Sequence, residues 1–370
     1  MASKTQLHSY HVAHATMGEF GGFEMPLWYE GIMPEVNAVR REAGIFDVSH
    51  MGRTLFTGRG AGRFLDYLTT NDVAGLAPMQ TRYTLICNDK GGVVDDTIAV
   101  RTGEESYVTF WNASNREKDT LWAKERMGRF EVEMEDHSDS SFMIALQGPM
   151  AHNVLQPLCV TDLSSVKRHR AAWTRVAGTE CCVLRTGYTG EDGFEIFSLA
   201  DGGALALWNR LIDGGATPAG LGARDVLRIE AGLPLYGHEL SDVISPLEAR
   251  LDFAVKMEKG EFVGKKAIAA LMREPPRRRL TGLRMLGRGI PREGYAIFHG
   301  EREVGVVTSG TFSPTLGGPI ALGFIEGRLP CGTEVRVRIR GSDHSAVLSE
   351  TPFYDRDRFG WRRKTNPPYI

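Results

Sequence analysis

The chain has 370 residues, 42% of them apolar and 24% charged, with a formal net charge of −2. That length holds two or three domains, and that composition is the one of a globular protein with a sizeable core. The balanced charge excludes a nucleic-acid or membrane surface held by bulk electrostatics, and no apolar run approaches the ~20 residues that span a bilayer.

The opening stretch, MASKTQLHSYHVAHATMGEF, has no basic segment followed by an apolar core, so no secretory signal is expected. His8, His11 and His14 in that stretch are three apart, but successive steps drift around a helix and no acidic partner is near in sequence, which argues against a metal site. The run ICNDKGGVVDDTIAV (86–100) places two carboxylates among strand-forming residues. Strand side chains alternate faces, so Asp96 is expected with Val94, Ile98 and Val100 on an otherwise apolar face, where a carboxylate is costly unless paired. Two readings stay open: a strand-end Asp bonded to nearby amides, or a carboxylate facing a pocket. Gly91 and Gly92 leave room for a ligand or another backbone to come close.

ESYVTFWN (105–112) reads as a strand, followed by a helix opened by a capping box of Ser114 and Glu117. SFMIALQGPMAHNVLQPL reads as a buried strand, a turn at Gly148 and a helix with Pro149 in its first turn. CCVLRTGYTGEDGFEIFSL reads as strand, Gly-rich turn, strand, with Cys181 and Cys182 on opposite faces as core residues. Its three glycines let the chain surround a flat ligand beside Tyr188 and Glu195, and a Glu can accept two parallel bonds from an amidine-like edge. A plain tight turn is the other reading. GLGARDVLRIEAGLPLYG holds a short helix expected to stop at Pro234 and Gly237. Arg224 falls near its start, where the macrodipole disfavours a cation, so it is either solvated or held by a carboxylate or an anionic ligand.

MREPPRRRLTG (272–282) reads as a linker. Beyond it, LTGLRML, GYAIFHG, REVGVVTSGTF, PIALGFI and EVRVRIRG are short strands at regular spacing, the pattern of a compact β-barrel or jelly roll. The closing DRDRFGWRRKTNPPYI is polar, basic and aromatic, without an element signature. The five cysteines show no C-x-x-C spacing, which points to a reducing, cytoplasmic location. HExxH, GxSxG and P-loop motifs are missing from the sequence.

In order along the chain stand FGGFEMPLWY, AGIFDVSHMG, TNDVAGL, NDKGGVVDDTI, NASNREKD, ALQGP, RTGYTGEDGFEI, GLGARDVLRIEAGLPLYGHEL, FVGKKAI and TSGTFSPTLGGPIALGFI. Over roughly residues 5–354 this resembles the aminomethyltransferase, or T-protein, family of the glycine cleavage system. The resemblance implies an α+β fold of three domains in a cloverleaf around a folate site, the last a β-barrel. The implied segments are 1–51 with 141–242, 52–140 with 243–275, and 276–370. It implies tetrahydrofolate as co-substrate, no metal, and the lipoylated H-protein as partner, with neither nucleic acid nor membrane. Asp96 matches the family's catalytic aspartate and Glu195 the residue that grips the pterin amino edge. Arg224 matches an arginine beside the folate, and Met51, Tyr83, Asn112, Tyr188 and Tyr236 match the pocket lining. Tyr354 stands for a C-terminal tyrosine that reaches the folate. Phe253 and Val100 depart from the family's usual Trp and Tyr. Two relatives of the same fold are the alternatives: a tetrahydrofolate-dependent demethylase of small methylated compounds, and a non-catalytic iron–sulfur assembly protein. The latter carry a Lys-Gly-Cys segment, where this chain has Lys259, Gly260 and Glu261.

Overall fold

The computed structural model describes residues 2–364; Met1 and residues 365–370, the end of the tail, lie outside the described residues. The fold mixes α and β, with three principal sheets. The first has six strands in the order Ala171–Val176, Thr179–Leu184, Gly193–Ser198, Phe142–Gln147, Gly44–Asp47 and Thr217–Pro218. Every residue of Phe142–Gln147 is buried because the strand is covered on both sides. Phe142, Ile144 and Leu146 pack against Leu207, Trp208 and Leu211 of the helix Ala204–Asp213. Met143 and Ala145 pack with Val226 and Leu227 of the helix Leu221–Ala231. Cys181 and Cys182 divide between these two clusters, as strand alternation requires.

The second sheet has five antiparallel strands in the order Thr81–Cys87, Val93–Arg101, Ser106–Trp111, Gly52–Thr57 and Glu133–Asp136. Phe64 and Leu65 of the helix Ala61–Leu68, with Ala123 of the helix Arg116–Met127, cover one face. The other face meets the six-stranded sheet, where Phe110 and Phe197 pack edge to face with centroids 5.1 Å apart. The third is a closed barrel in the order Arg278–Met285, Gly318–Glu326, Arg302–Ser313, Ala296–His299, Glu334–Ile339 and Ser342–Ser349. Five of these strands are the expected ones, and Ser342–Ser349 is the addition that closes the ring. The helix Leu221–Ala231 lies where all three meet: Val226 and Leu227 touch the cluster between the first two sheets, and Ile229 joins the cluster of Leu85, Leu280 and Phe324.

Three local expectations change. Asn115, not Ser114, stands at the N-terminal cap position of the helix Arg116–Met127, and its side chain makes no capping bond; its amide is spent on Asp95 at 2.6 Å. The helix carrying Arg224 stops at Gly232, ahead of Pro234 and Gly237. Gly232 takes the left-handed conformation (φ 70°) that terminates helices at low cost for glycine, and its amide turns back on the helix. Pro149 precedes the helix Ala151–Leu155 instead of lying in its first turn.

The tail has a definite place up to Lys364. The Gly360 amide donates to Glu191 Oε1 at 3.0 Å, Arg363 donates to Glu191 Oε2, and the Trp361 amide donates to Gly190 O at 3.0 Å. These contacts fasten the tail to the Gly-rich turn that holds Tyr188 and Glu195.

Candidate active site

A β-bulge shapes the strand that carries the paired carboxylates. Val93 pairs with Cys87 and Asp95 with Ile86, so Val94 is an extra residue between them. Alternation therefore breaks there. Val94 faces the cluster that includes Ile86, Val93 faces the opposite cluster, and Asp96 does not share a face with Val94 as the simple pattern assumed. Asp95 points to the helix-covered side and is fully buried, whereas Asp96 is half-buried on the side toward the six-stranded sheet and the barrel. Gly92 is required by a backbone: an added Cβ would lie 1.8 Å from Asp242 O.

The two carboxyls have different surroundings. Asp95 accepts from the Asn112 amide at 3.1 Å, from Asn112 Nδ2 at 2.8 Å and from Asn115 Nδ2 at 2.6 Å. Asp96 accepts from the Tyr83 hydroxyl at 3.0 Å and from the same Asn112 Nδ2 at 2.8 Å. Both of its donors are neutral. Burial, and then the charge on Asp95, raise the Asp96 carboxyl to about 7, with Tyr83 and Asn112 pulling the other way. Lys118 is near, but its ammonium donates to Val94 O and to the Tyr236 hydroxyl, each at 2.6 Å. The Tyr236 hydroxyl in turn reaches Asp242 Oδ1 at 3.3 Å.

Tyr188 links this carboxyl to the other sheet. Its ring lies under the Arg224 guanidinium, with Cζ 4.8 Å from the centroid, and its hydroxyl donates to Pro234 O. Both Asp96 and Arg224 act electrostatically on the Tyr188 phenol, whose pKa burial raises first of all. Arg224 Nη2 lies 3.9 Å from Met51 Sδ, and Nη1 is buried with no hydrogen-bond partner among the described residues. Of the surroundings expected for this arginine, solvent is replaced by burial, and the guanidinium has an aromatic face, a sulfur, the charge of Glu195 at a distance and one unsatisfied nitrogen. Glu195 is buried on strand Gly193–Ser198, where burial raises its carboxyl and Thr186 and Arg224 lower it. Thr186 donates to Oε2, and no hydrogen bond among the described residues reaches Oε1.

Asp96, Tyr83 and Asn112 are thus joined by direct contacts, and so are Tyr188, Arg224 and Met51; between the two groups Tyr188 feels the charges of both Asp96 and Arg224, Glu195 feels that of Arg224, and Tyr236 takes a bond from Lys118. Tyr354 is placed in a different cluster. Its ring lies under Arg40, 4.6 Å from Cζ to centroid, among the charges of Glu191, Glu230 and Arg168. The residues that sequence reasoning did not single out are Asn115, Lys118 and Asp119. Asn112, Asn115 and Asp119 are spaced three and four apart, a polar stripe on a helical face that turns to the sheet, and that spacing was the available signal. Phe253 stacks on Tyr83 (centroids 6.1 Å, 24° between planes) and is 61% exposed. The N-terminal histidines go to separate partners, His8 to Glu24, His11 to Asp47 and Tyr29, and His14 to Tyr10 O.

The scaffold is thus a mixed α/β one ending in a closed barrel, with a half-buried carboxyl on one sheet and, on the helix between the sheets, a buried arginine nitrogen that has no partner among the described residues. Residues 7–259 match the GCVT N-terminal domain family, and residues 278–355 match the glycine cleavage T-protein C-terminal barrel domain family. The aminomethyltransferase of Rubrobacter xylanophilus is 46% identical over 99% of this chain and 96% of its own length. That of Geobacillus kaustophilus is 47% identical over 96% of this chain and 100% of its own. The crystal structure of glycine cleavage system aminomethyltransferase T from Bartonella henselae superposes with a TM-score of 0.91 at 34% identity, covering 98% of this chain and 100% of that one. The chain belongs to the glycine cleavage T-protein family, and it is an aminomethyltransferase.

Proposed function

We propose that the chain takes the aminomethyl group carried as a thio-aminal on the lipoyl arm of the H-protein and passes its one-carbon unit to tetrahydrofolate. The methylene carbon loses its bonds to sulfur and nitrogen and gains bonds to two folate nitrogens. The two protons those nitrogens give up go to the thiolate and to the departing ammonia, giving dihydrolipoyl carrier, ammonia and 5,10-methylenetetrahydrofolate. Asp96 is the catalytic carboxyl. Breaking either bond of a thio-aminal develops an iminium-like cation, which an anion in a poorly solvated site stabilises before it accepts a folate N–H proton. A carboxyl titrating near neutrality suits both tasks, since it gives up and regains a proton at little cost.

The residues suit a reduced pterin. Glu195 has one oxygen taken by a hydroxyl and the other without a donor among the described residues, an arrangement that can receive the amino edge of the ring. The orphaned Arg224 Nη1 supplies a donor with no partner among the described residues. Tyr83, Met51, Asn112, Tyr188 and Tyr236 are assigned to the lining, and Tyr354 to support at a distance. For the domains, the division 1–51 with 141–242, 52–140 with 243–275, and 276–370 is favoured by the strands of each sheet falling within one segment. A cytoplasmic location accords with five free cysteines and with no helix among the described residues long and apolar enough to cross a membrane.

The observation that carries the reading is the Asp96 carboxyl, raised to about 7 and held by two neutral donors, the Tyr83 hydroxyl and the Asn112 amide. The test is ammonia release from aminomethylated lipoyl H-protein in the presence of tetrahydrofolate. Asp96→Asn should lower turnover on the order of 10²–10⁴-fold, the usual worth of a positioned proton-transfer group, with folate still bound. Near-normal turnover of that variant would remove Asp96 from the mechanism.

A further inference from the structure

Asp119 lies on the helix Arg116–Met127, is 1% exposed, and turns to the sheet beneath Asp95. Neither of its carboxyl oxygens has a hydrogen-bond donor among the described residues. It interacts with another carboxyl, Asp95, which already accepts from three N–H groups of Asn112 and Asn115. An ionised Asp119 would be a desolvated anion, without a donor, in contact with a second anion. A protonated one removes the conflict: its O–H donates to Asp95 and becomes the fourth bond on that carboxylate. Burial and then the charge of Asp95 drive Asp119 well above the usual carboxylate range.

The other charged and titratable groups around it do not restore the balance. Lys118, on the same helix, opposes the shift, but its ammonium is committed to Val94 O and Tyr236 and lies 3.7 Å from Asp242. Asp96 on the strand adds to the negative field. Tyr83, on the neighbouring strand, donates to Asp96, and Tyr236 and Asp242 face the cluster from the loop that packs on Gly92.

We propose that Asp119 is a positioning residue that stays protonated and donates its O–H to Asp95, fixing the negative charge of the cluster on Asp95 and leaving Asp96 as the carboxyl that trades a proton with substrate. This rests on the reading of Asp96 given above. Asp95 and Asp96 share the Asn112 amide, whose nitrogen lies 2.8 Å from an oxygen of each, so one side chain holds the two carboxyls side by side. The Asp119 hydroxyl adds a donor on the Asp95 side of this pair and none on the Asp96 side.

The test compares two substitutions in the full-length enzyme. Asp119→Asn keeps an N–H donor for Asp95 at the same size, and the acidic limb of its kcat profile should stay with the wild type. Asp119→Leu removes the donor. The charge of Asp95 is then less satisfied and presses harder on Asp96, and the acidic limb should move up by about one pH unit with about a tenfold loss of turnover at neutral pH, the worth of one hydrogen bond to a charged group. A Leu variant with the wild-type limb, or an Asn variant that fails as the Leu variant does, would overturn the proposal. A second readout needs no turnover. Infrared spectra well above neutrality should show the carbonyl stretch of one buried carboxylic acid, retained in Asp96→Asn and lost in Asp119→Asn. If the wild type lacks that band, Asp119 is ionised and the proposal fails whatever Asp96 does. If Asp96→Asn turns over normally while the band persists, the catalytic reading fails and the protonated Asp119 stands.

Discussion

Asp47 and Asp96 are the same side chain in two buried strand settings, and the protein drives them in opposite directions. Asp47, at the end of strand Gly44–Asp47, accepts from Thr5 at 2.7 Å and from the Ser49 amide at 2.9 Å, and lies 2.9 Å from His11 Nε2. Burial works to raise its pKa, but the hydrogen bond and charge of His11, with Ser49 and Thr5, bring it down to about 2. Asp96 is likewise enclosed, with two donors, yet reaches about 7. Burial is common to both. The difference is the sign of the neighbour, a basic ring for Asp47 and a second carboxylate for Asp96. A compensated buried charge stabilises the fold, whereas an uncompensated one costs stability and remains available to a substrate.

The widest separation should come from removing the compensated charge. Asp47→Ala leaves His11, Thr5 and the Ser49 amide without their acceptor, and breaking a buried pair in this way costs about 3–5 kcal/mol. Urea denaturation at neutral pH should show that loss as a lowered midpoint with an unchanged slope. A shift under about 1 kcal/mol would mean that His11 and Asp47 are not a pair in solution. Glu195 is the intermediate case, with one hydroxyl donor and a cation that does not touch it. Glu195→Ala should weaken tetrahydrofolate binding on the order of 10–100-fold, the worth of hydrogen bonds to a charged group, while the unfolding midpoint moves little. Calorimetry with an unchanged dissociation constant would take Glu195 out of the folate site.

How far these features were readable from the sequence depended on whether the partner was local. The barrel strands were legible because apolar alternation and glycine turns are written into each segment. Ser342–Ser349 was missed because Ser, Asp and His fill its first positions, leaving too short an apolar alternation to identify it. The helix stop moved from Pro234 to Gly232 because a left-handed glycine can end a helix before a proline has to. Asp96 was picked out, but on a face pattern that the Val94 bulge interrupts, and bulges arise from pairing with a strand elsewhere in the chain. The Arg224–Tyr188 contact joins a helix to the Gly-rich turn, and the Asp95–Asp119 contact joins a strand to a helix 24 residues on, so neither pair announces itself in either segment.

The smallest effect is also the most discriminating, because it has the opposite sign to the loss of activity. The native Asp96 carboxyl titrates near 7 against an ordinary value of 3.8, so between those limits the folded chain holds more protons at this site than the unfolded one. Stability from this group therefore falls as pH rises through that window, and the full cost is present above about 7. Asp96→Asn abolishes the charge and keeps the shape. It should gain on the order of 1–3 kcal/mol of unfolding free energy above neutrality and about nothing near pH 4, while losing its turnover. The pair of Tm values, at pH 8 and pH 4, reads this directly as a rise in the first and a null in the second. If Asp96→Asn instead loses stability at pH 8, then Asp96 is compensated as Asp47 is, and the contrast between the two sheets disappears.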